Sequence, residues 1–284
     1  MAEGRAERWD GSASAPGPTL GVSASGTLAP MPADSLFDRL LAEAEAAPVQ
    51  GWDFSWFDGR ASEQRPSWGY AELMRRQMAA AGSALDLQTG GGEVLAGVPA
   101  PPALLCATES WPPNVQIARR NLAPLGASVV QAEDGQPLPF RSETFDLVVS
   151  RHPTVVLWHE IARVLRPGGR YLSQQIGIGS NRELYEYLMG PQPHPEGDGS
   201  ERALRELTAA GLDAENVRHE SLEVRFDDIA AVVVFLRKVI WTVPDFSVSR
   251  YRDRLAELHE QIQRTGPFVS HSQRVLVQAF KPAG

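Results

Sequence analysis

Short apolar runs alternate with amphipathic stretches along this chain, and their order predicts an alternating β/α fold. Residues 84–87 carry Ala84, Leu85 and Leu87, then run into Gly90, Gly91 and Gly92 and an amphipathic start at Glu93, Val94 and Leu95. That pattern predicts a buried strand turning sharply into a helix, because glycine permits the backbone such a turn needs. Similar apolar runs at 103–108, 127–131, 145–149 and 170–176 predict four more strands of the continuous kind found in parallel sheets covered on both faces. A helix is predicted from Pro112–Pro113 through residue 125, since proline suits a first helical turn. Another ends just before the Pro-Gly-Gly turn at 167–169.

The flanks add further elements. Leu36, Phe37, Leu40 and Leu41 have helical spacing, with Asp34 or Ser35 able to cap. Residues 70–80 predict a second N-terminal helix. Beyond Gly177, helices are expected at 180–189 and from 200 to a stop at Gly211. Residues 217–226 alternate as a sixth strand. The stretch 226–241 is apolar enough for a buried helix, and Val248, Tyr251, Leu255, Leu258 and Ile262 mark an amphipathic helix ending at Gly266. A seventh strand, 272–280, closes the chain. The aromatic segment 51–70 lacks helical spacing and reads either as a lid over a ligand crevice or as an irregular strap packed on the domain. Residues 1–33, rich in Ala, Gly, Ser and Pro, read as a disordered tail preceding one domain over 34–284, with its core at about 70–178 and further elements at 179–284.

Composition narrows the function classes. Of 284 residues, 43% are hydrophobic and 22% charged, as in ordinary globular proteins. A net charge of -8 argues against a sequence-independent nucleic-acid binder. The single cysteine, Cys106, excludes an internal disulfide and reads as a small buried hydrophobe in a reducing compartment. No apolar run approaches the ~20 residues of a membrane span, and no signal-peptide core is present. A cytoplasmic protein is expected. No His, Cys and Asp cluster has metal-ligand spacing, so no metal is expected.

A glycine bend at the carboxyl end of a parallel strand is where open α/β sheets bind nucleotides. The dinucleotide pattern G-x-G-x-x-G/A fails, because counting from Gly90 and Gly92 the last position is Leu95. Asp86 and Glu93 flank the bend. They would repel a pyrophosphate and attract a ligand carrying an ammonium and a sulfonium, as S-adenosylmethionine does. The segment resembles the first motif of class I S-adenosylmethionine-dependent methyltransferases, an acid followed by G-x-G-x-G. Gln88 stands where the first glycine is usual, so it must avoid a strained backbone or accept a cost of about 1 kcal/mol. A slightly reshaped loop is expected. Glu109 follows about twenty residues later, at a strand end where a carboxylate meets ribose hydroxyls; it also suits the start of the next helix.

The strand FDLV at 145–148 and the helix end VLRPGGRYL at 164–172 are similar to later motifs of that class, and four motifs together cover about 80–178. TGGGE, ATESWPPNV, SRH, QQIG and FSVSRY…LHEQI further resemble a group of bacterial methyltransferase-like proteins without an assigned substrate, from about Trp52 to the end. The resemblance implies a Rossmann-like, seven-stranded, mostly parallel sheet with helices on both faces, N-terminal helices and a helical insertion before the last strand. It implies S-adenosylmethionine held by Asp86, Gln88, Thr89, Gly90, Gly92, Glu109, Ser110, Asp134, Gly135 and Arg151. Asp134 and Gly135 would face adenine, with Glu133 as fallback.

In this class the fourth strand's tip faces the transferred methyl. His152 there would be a base or a residue bonded to backbone, and Arg151 a clamp for an acidic acceptor or a surface ion-pair partner. One of Gln174 and Gln175 should face the crevice. Trp111, Trp158 and Trp241 would shape an apolar pocket or join the core, while His159 and His259 read as structural or solvated. The expected acceptor is an N or O atom of a small molecule. Two alternatives stay open. One is a non-catalytic binding protein with a degenerate first motif. The other is an RNA or protein methyltransferase, which needs a basic rim from Arg119–Arg120, Arg163–Arg166 or Arg250–Arg254.

Overall fold

The computed structural model describes residues 35–49, 54–193 and 195–283. The tail at 1–33, the alternative cap Asp34, and residues 51–53 of the aromatic segment lie outside them. The strands are β1 (Ala61–Glu63), β2 (Ser83–Leu87), β3 (Leu104–Glu109), β4 (Ser128–Gln131), β5 (Phe145–Arg151), β6 (Leu165–Ile176), β7 (Asp213–Phe226) and β8 (Phe268–Phe280). The helices are α1 (Leu36–Ala46), α2 (Tyr70–Ala80), α3 (Glu93–Ala96), α4 (Pro112–Leu122), α5 (Trp158–Val164), α6 (Arg182–Met189), α7 (Ser200–Ala209), α8 (Ile229–Lys238) and α9 (Val248–Thr265).

The strand order is β1-β7-β8-β6-β5-β2-β3-β4. β2 pairs in parallel with β3 and β5, β3 with β4, and β5 with β6, whereas β8 runs antiparallel to β6 and β1 to β7. This is the mixed α/β, Rossmann-like sheet expected, with one strand more. The addition is β1, three residues that pair with Val224, Arg225 and Phe226 at the end of β7. The helix after the glycines is short. α3 stops at Ala96, where Gly97 and then Pro99 prevent continuation. The 112–125 helix ends at Leu122 and tightens into a 3-10 turn over Ala123–Leu125, around Pro124.

The chain divides into two compact units. The larger spans 65–181, 193–222 and 271–284 and contains the parallel strands. Its strands alternate between two apolar layers. Leu85, Val148, Tyr171, Val275 and Val277 join one core with Phe145, Trp158, Ile161 and Leu207. Ala84, Leu147, Val149, Leu172 and Leu276 join another with Trp68, Met74, Met78, Leu95 and Leu122. Both faces are therefore buried, which is why these strands read as continuous apolar runs.

The smaller unit comprises the described residues of 35–64, 182–192 and 223–270. Its centre is α8, whose residues 229–236 are all buried, so it must be covered on every side. Leu41 and Ala44 of α1, Leu184 of α6 and Leu255, Leu258 and Ile262 of α9 share that core. Arg237 donates to the carbonyls of Ala44 and Ala47, satisfying the C-terminal end of α1. Phe57 is buried in the same core, and Trp68 in one of the larger unit's cores. The described part of the aromatic segment is thus a packed strap.

Asp228 caps α8, its Oδ1 accepting from the Ala231 N–H at 2.8 Å. Asp228→Ala is expected to destabilise the chain by about 1 kcal/mol in urea unfolding, because the first-turn N–H loses its acceptor. An unchanged midpoint would show that the cap is replaceable.

Candidate functional site

β2 ends with its last residues alongside Ala107 of β3 and Val149 and Ser150 of β5, so the Asp86 carboxyl emerges among three parallel strand ends. Asp86 is buried, and its Oδ2 accepts from Thr89 Oγ1 at 2.6 Å. No ion pair among the described residues involves it. Burial, reinforced by the neighbouring Glu109 charge and opposed by the Thr89 bond, raises its pKa from 3.8 to about 7.

Glu109, at the end of β3, is also buried, and burial raises its pKa. Its Oε2 accepts from the Gly90 N–H at 2.8 Å and its Oε1 from the Trp111 N–H at 3.0 Å. The carboxylate ties the glycine bend to the start of α4 while retaining lone pairs for a further donor. Ser110 lies between these partners in the chain. Gly92 has φ +79°, and a Cβ there would meet Leu122 Cγ at 2.8 Å. Both facts demand glycine. Gly90 likewise has φ +64°, and Glu93 folds its carboxylate over Gly91.

Gln88 takes the left-handed backbone itself, with φ +55°. The loop is not reshaped to avoid the strain; side-chain bonds offset it. Gln88 Nε2 donates to the Val155 carbonyl at 2.6 Å, and Oε1 accepts from Thr154 N–H at 2.6 Å and Thr154 Oγ1 at 2.9 Å. Thr154 Oγ1 is also 2.9 Å from Asp134 Oδ2. Asp134 and Gly135 are exposed, in the turn after β4, and Gly135 has φ +78°. Between Leu87, Gln88, Asp134 and Val155 the cavity is about 20 Å³, room for about one water.

Residues 85–173 match a family described as a methyltransferase domain. Over this segment the chain is similar to that family. No curated protein matches the chain. Among solved structures, a putative methyltransferase from Bacillus halodurans shares 20% identity, with 74% of this chain and 98% of that one covered at a TM-score of 0.52. The YcgJ protein from Bacillus subtilis shares 18% identity over 76% and 99% of the two chains, at 0.55. A functionally unknown protein from Deinococcus radiodurans shares 17% over 76% and 87%, at 0.50. At these identities the likeness shows the fold alone, a Rossmann-like α/β sheet.

Within the matched segment β5 ends at Arg151, and His152 follows it. Arg151 is exposed, and its backbone pairs with Gln174 of β6. His152 has φ +54°; its N–H donates to the Gln174 carbonyl at 2.7 Å, and its Nε2 lies 2.9 Å from Gln174 Nε2. Desolvation, with the Arg151 and Arg274 charges nearby, holds the imidazole well below its ordinary pKa. The ring is neutral at neutral pH. Gln174, buried, is the glutamine bonded to the site residues. Trp158 belongs to the core, whereas Trp111 and Trp241 are about half exposed. Of the remaining histidines, His159 is exposed and His259 buried in the smaller unit. Among the described residues, no three His, Cys, Asp or Glu side chains group as metal ligands.

Two contributors escaped the sequence reading. Thr154 links Gln88 to Asp134, and Trp68 bonds to Gln174 through its indole at 2.8 Å. Nothing in the spacing of residues joins positions 66 or 106 apart.

The Asp86 shift has a measurable consequence. Between about pH 4 and 7 the folded chain holds a proton that the unfolded chain has lost, so stability falls as pH rises through that window. Three pH units at about 1.4 kcal/mol each give roughly 4 kcal/mol. Asp86→Asn is expected to remove this slope and, in ligand-free buffer, to be more stable than the parent at pH 8 by on the order of 2 kcal/mol. Urea melts at pH 5 and pH 8 read both effects, and parallel profiles for the two proteins would contradict the buried ionisation.

Proposed function

We propose that this chain is an S-adenosylmethionine-dependent methyltransferase transferring a methyl group to an N or O atom of a small molecule. The observation that carries the reading is Asp86, a carboxyl buried without a cationic partner beside a glycine bend, inside the segment similar to the methyltransferase family. A fold tolerates such a group at the expense of stability, and a cationic ligand relieves it. The bound cofactor supplies an electrophilic methyl on a positive sulfur.

Asp86, Thr89 and the bend at Gly90 and Gly92 form the acidic cradle suited to its charged end. Glu109 and Ser110 would hold the ribose, and Asp134 with the Gly135 N–H the adenine. Gln88 braces the loop. Arg151 and His152 face the acceptor, where alignment supplies most of the rate enhancement, and a base is needed only if the acceptor arrives protonated. Within the larger unit Arg163 pairs with Glu160 and Arg166 with Asp146, so this candidate basic group favours a small acceptor over RNA. No helix among the described residues is long and apolar enough to cross a membrane.

A non-catalytic binding protein is the second reading, favoured by the Gln88–Thr154–Asp134 bonds that narrow the adenine end. Calorimetric titration with S-adenosylmethionine and S-adenosylhomocysteine, with NAD as control, tests the cofactor. Saturable binding of the first two alone is expected, weakened at least tenfold by Glu109→Ala through loss of charged hydrogen bonds. Binding of NAD alone would overturn the proposal. Binding without methylated product across a broad acceptor screen would favour the second reading.

Thr154→Val keeps the shape of the side chain and deletes the hydroxyl that occupies Asp134. Affinity for S-adenosylhomocysteine is expected to rise about three- to tenfold, the equivalent of roughly one hydrogen bond. A fall of similar size would mean that the hydroxyl contacts the cofactor directly.

A further inference from the structure

Three side chains converge behind the tip of β5. Trp68 Nε1 donates to Gln174 Oε1 at 2.8 Å, and Gln174 Nε2 lies 2.9 Å from His152 Nε2. An indole N–H can only donate, so the oxygen of the Gln174 amide must face Trp68 and the NH₂ must face the imidazole. An amide nitrogen cannot accept. His152 Nε2 is therefore the acceptor of that contact, and in a neutral ring the proton sits on Nδ1. The opposite amide orientation would set N–H against N–H at Trp68.

The relay is fixed at every link. Trp68 and Gln174 are both buried. Trp68 stacks under the Arg218 guanidinium, 5.6 Å from the ring centre, and Gln174 sits inside the β5–β6–β8 ladder. His152 is pinned by its own N–H to the Gln174 carbonyl at 2.7 Å. Imidazolium formation would turn Nε2 into a second donor facing the amide NH₂. Among the described residues Nδ1 has no hydrogen-bond partner, and it is not one of the fully buried unpartnered atoms. Its N–H is the one ring donor these contacts leave uncommitted.

We propose that Trp68 and Gln174 are positioning residues that lock His152 as a neutral Nδ1–H donor, and that the site receives its acceptor through a carboxylate, held by that N–H beside Arg151. The substrate class is then a small carboxylic acid, which arrives ionised and presents an oxygen lone pair with no proton to remove. His152 acts as a donor that orients an anion, and the base role has no lone pair available at Nε2. Identifying the anion as the methyl acceptor's own group rests on the function proposed above; the tautomer does not, and it is measured without cofactor.

Long-range proton–nitrogen NMR of the ¹⁵N-labelled full chain, with His152→Asn to assign the signals, tests the relay. A protonated-type shift at Nδ1 and an unprotonated-type shift at Nε2 are expected. Gln174→Glu presents an acceptor to Nε2 and should reverse the tautomer, while Trp68→Phe frees the amide to flip and should give a mixture. An Nε2–H ring in the parent, or one that ignores both substitutions, overturns the relay. Benzoate is the anion probe: it should shift the His152 signals saturably in the parent and at least tenfold more weakly in Gln174→Glu, whereas benzylamine should leave them unmoved. A response to benzylamine, or none to benzoate, overturns the substrate class. Loss of S-adenosylmethionine binding with both NMR results intact would instead overturn the cofactor reading alone.

Discussion

The arrangement at the end of β2 depends on burying two carboxyl groups next to each other around a bend made of glycine. Asp86 and Glu109 sit on adjacent parallel strands, and burial opposes ionisation of both, reinforced at Asp86 by the Glu109 charge and at Glu109 by the Asp134 charge. The bend answers with its own donors: Thr89 Oγ1 to Asp86, and the Gly90 N–H to Glu109. Those bonds need the backbone to turn through left-handed conformations at Gln88, Gly90 and Gly92, and they need Gly92 to lie against Leu122. The two apolar layers on either side of the sheet make this unfavourable cluster tolerable, because β2, β3 and β5 cannot separate without exposing both. The acids are thus held in place at some expense of stability, their burial only partly offset by the donors of the bend.

How much of this was legible in the sequence follows the range of each interaction. β2, β3, β5 and the end of β6 announce themselves because burial on both faces leaves unbroken apolar runs, and α2, α8 and α9 because their periodicity and stop signals are local. The glycine bend with Asp86 and the carboxylate at Glu109 are legible for the same reason: a turn and a strand end are each written within a few residues. β1 is not, since nothing in Ala61–Glu63 favours a strand until the end of β7 lies beside it. The abrupt end of α3 was written in Gly97 and Pro99, which stop the helix begun at Glu93. Gln88 could be flagged as an exception but not understood, because the groups that stabilise its backbone, Thr154 and Val155, are 66 and 67 residues away.

His152 shows why the structural and functional readings of a residue need not compete. Its backbone N–H completes the β5–β6 ladder and its ring is tied to Gln174, which by themselves describe an anchored structural histidine. A histidine free to rotate would exchange tautomers and present either nitrogen, so it would orient nothing. Anchoring removes that freedom: one ring nitrogen is committed to Gln174, and the direction of that bond is dictated two residues further along by an indole that can only donate. The left-handed backbone at His152 costs about 1 kcal/mol, and it sets the ring against Gln174 at the strand tip, where an extended residue would continue the ladder instead. The same contacts that make the residue look structural therefore decide which atom it can offer to a ligand.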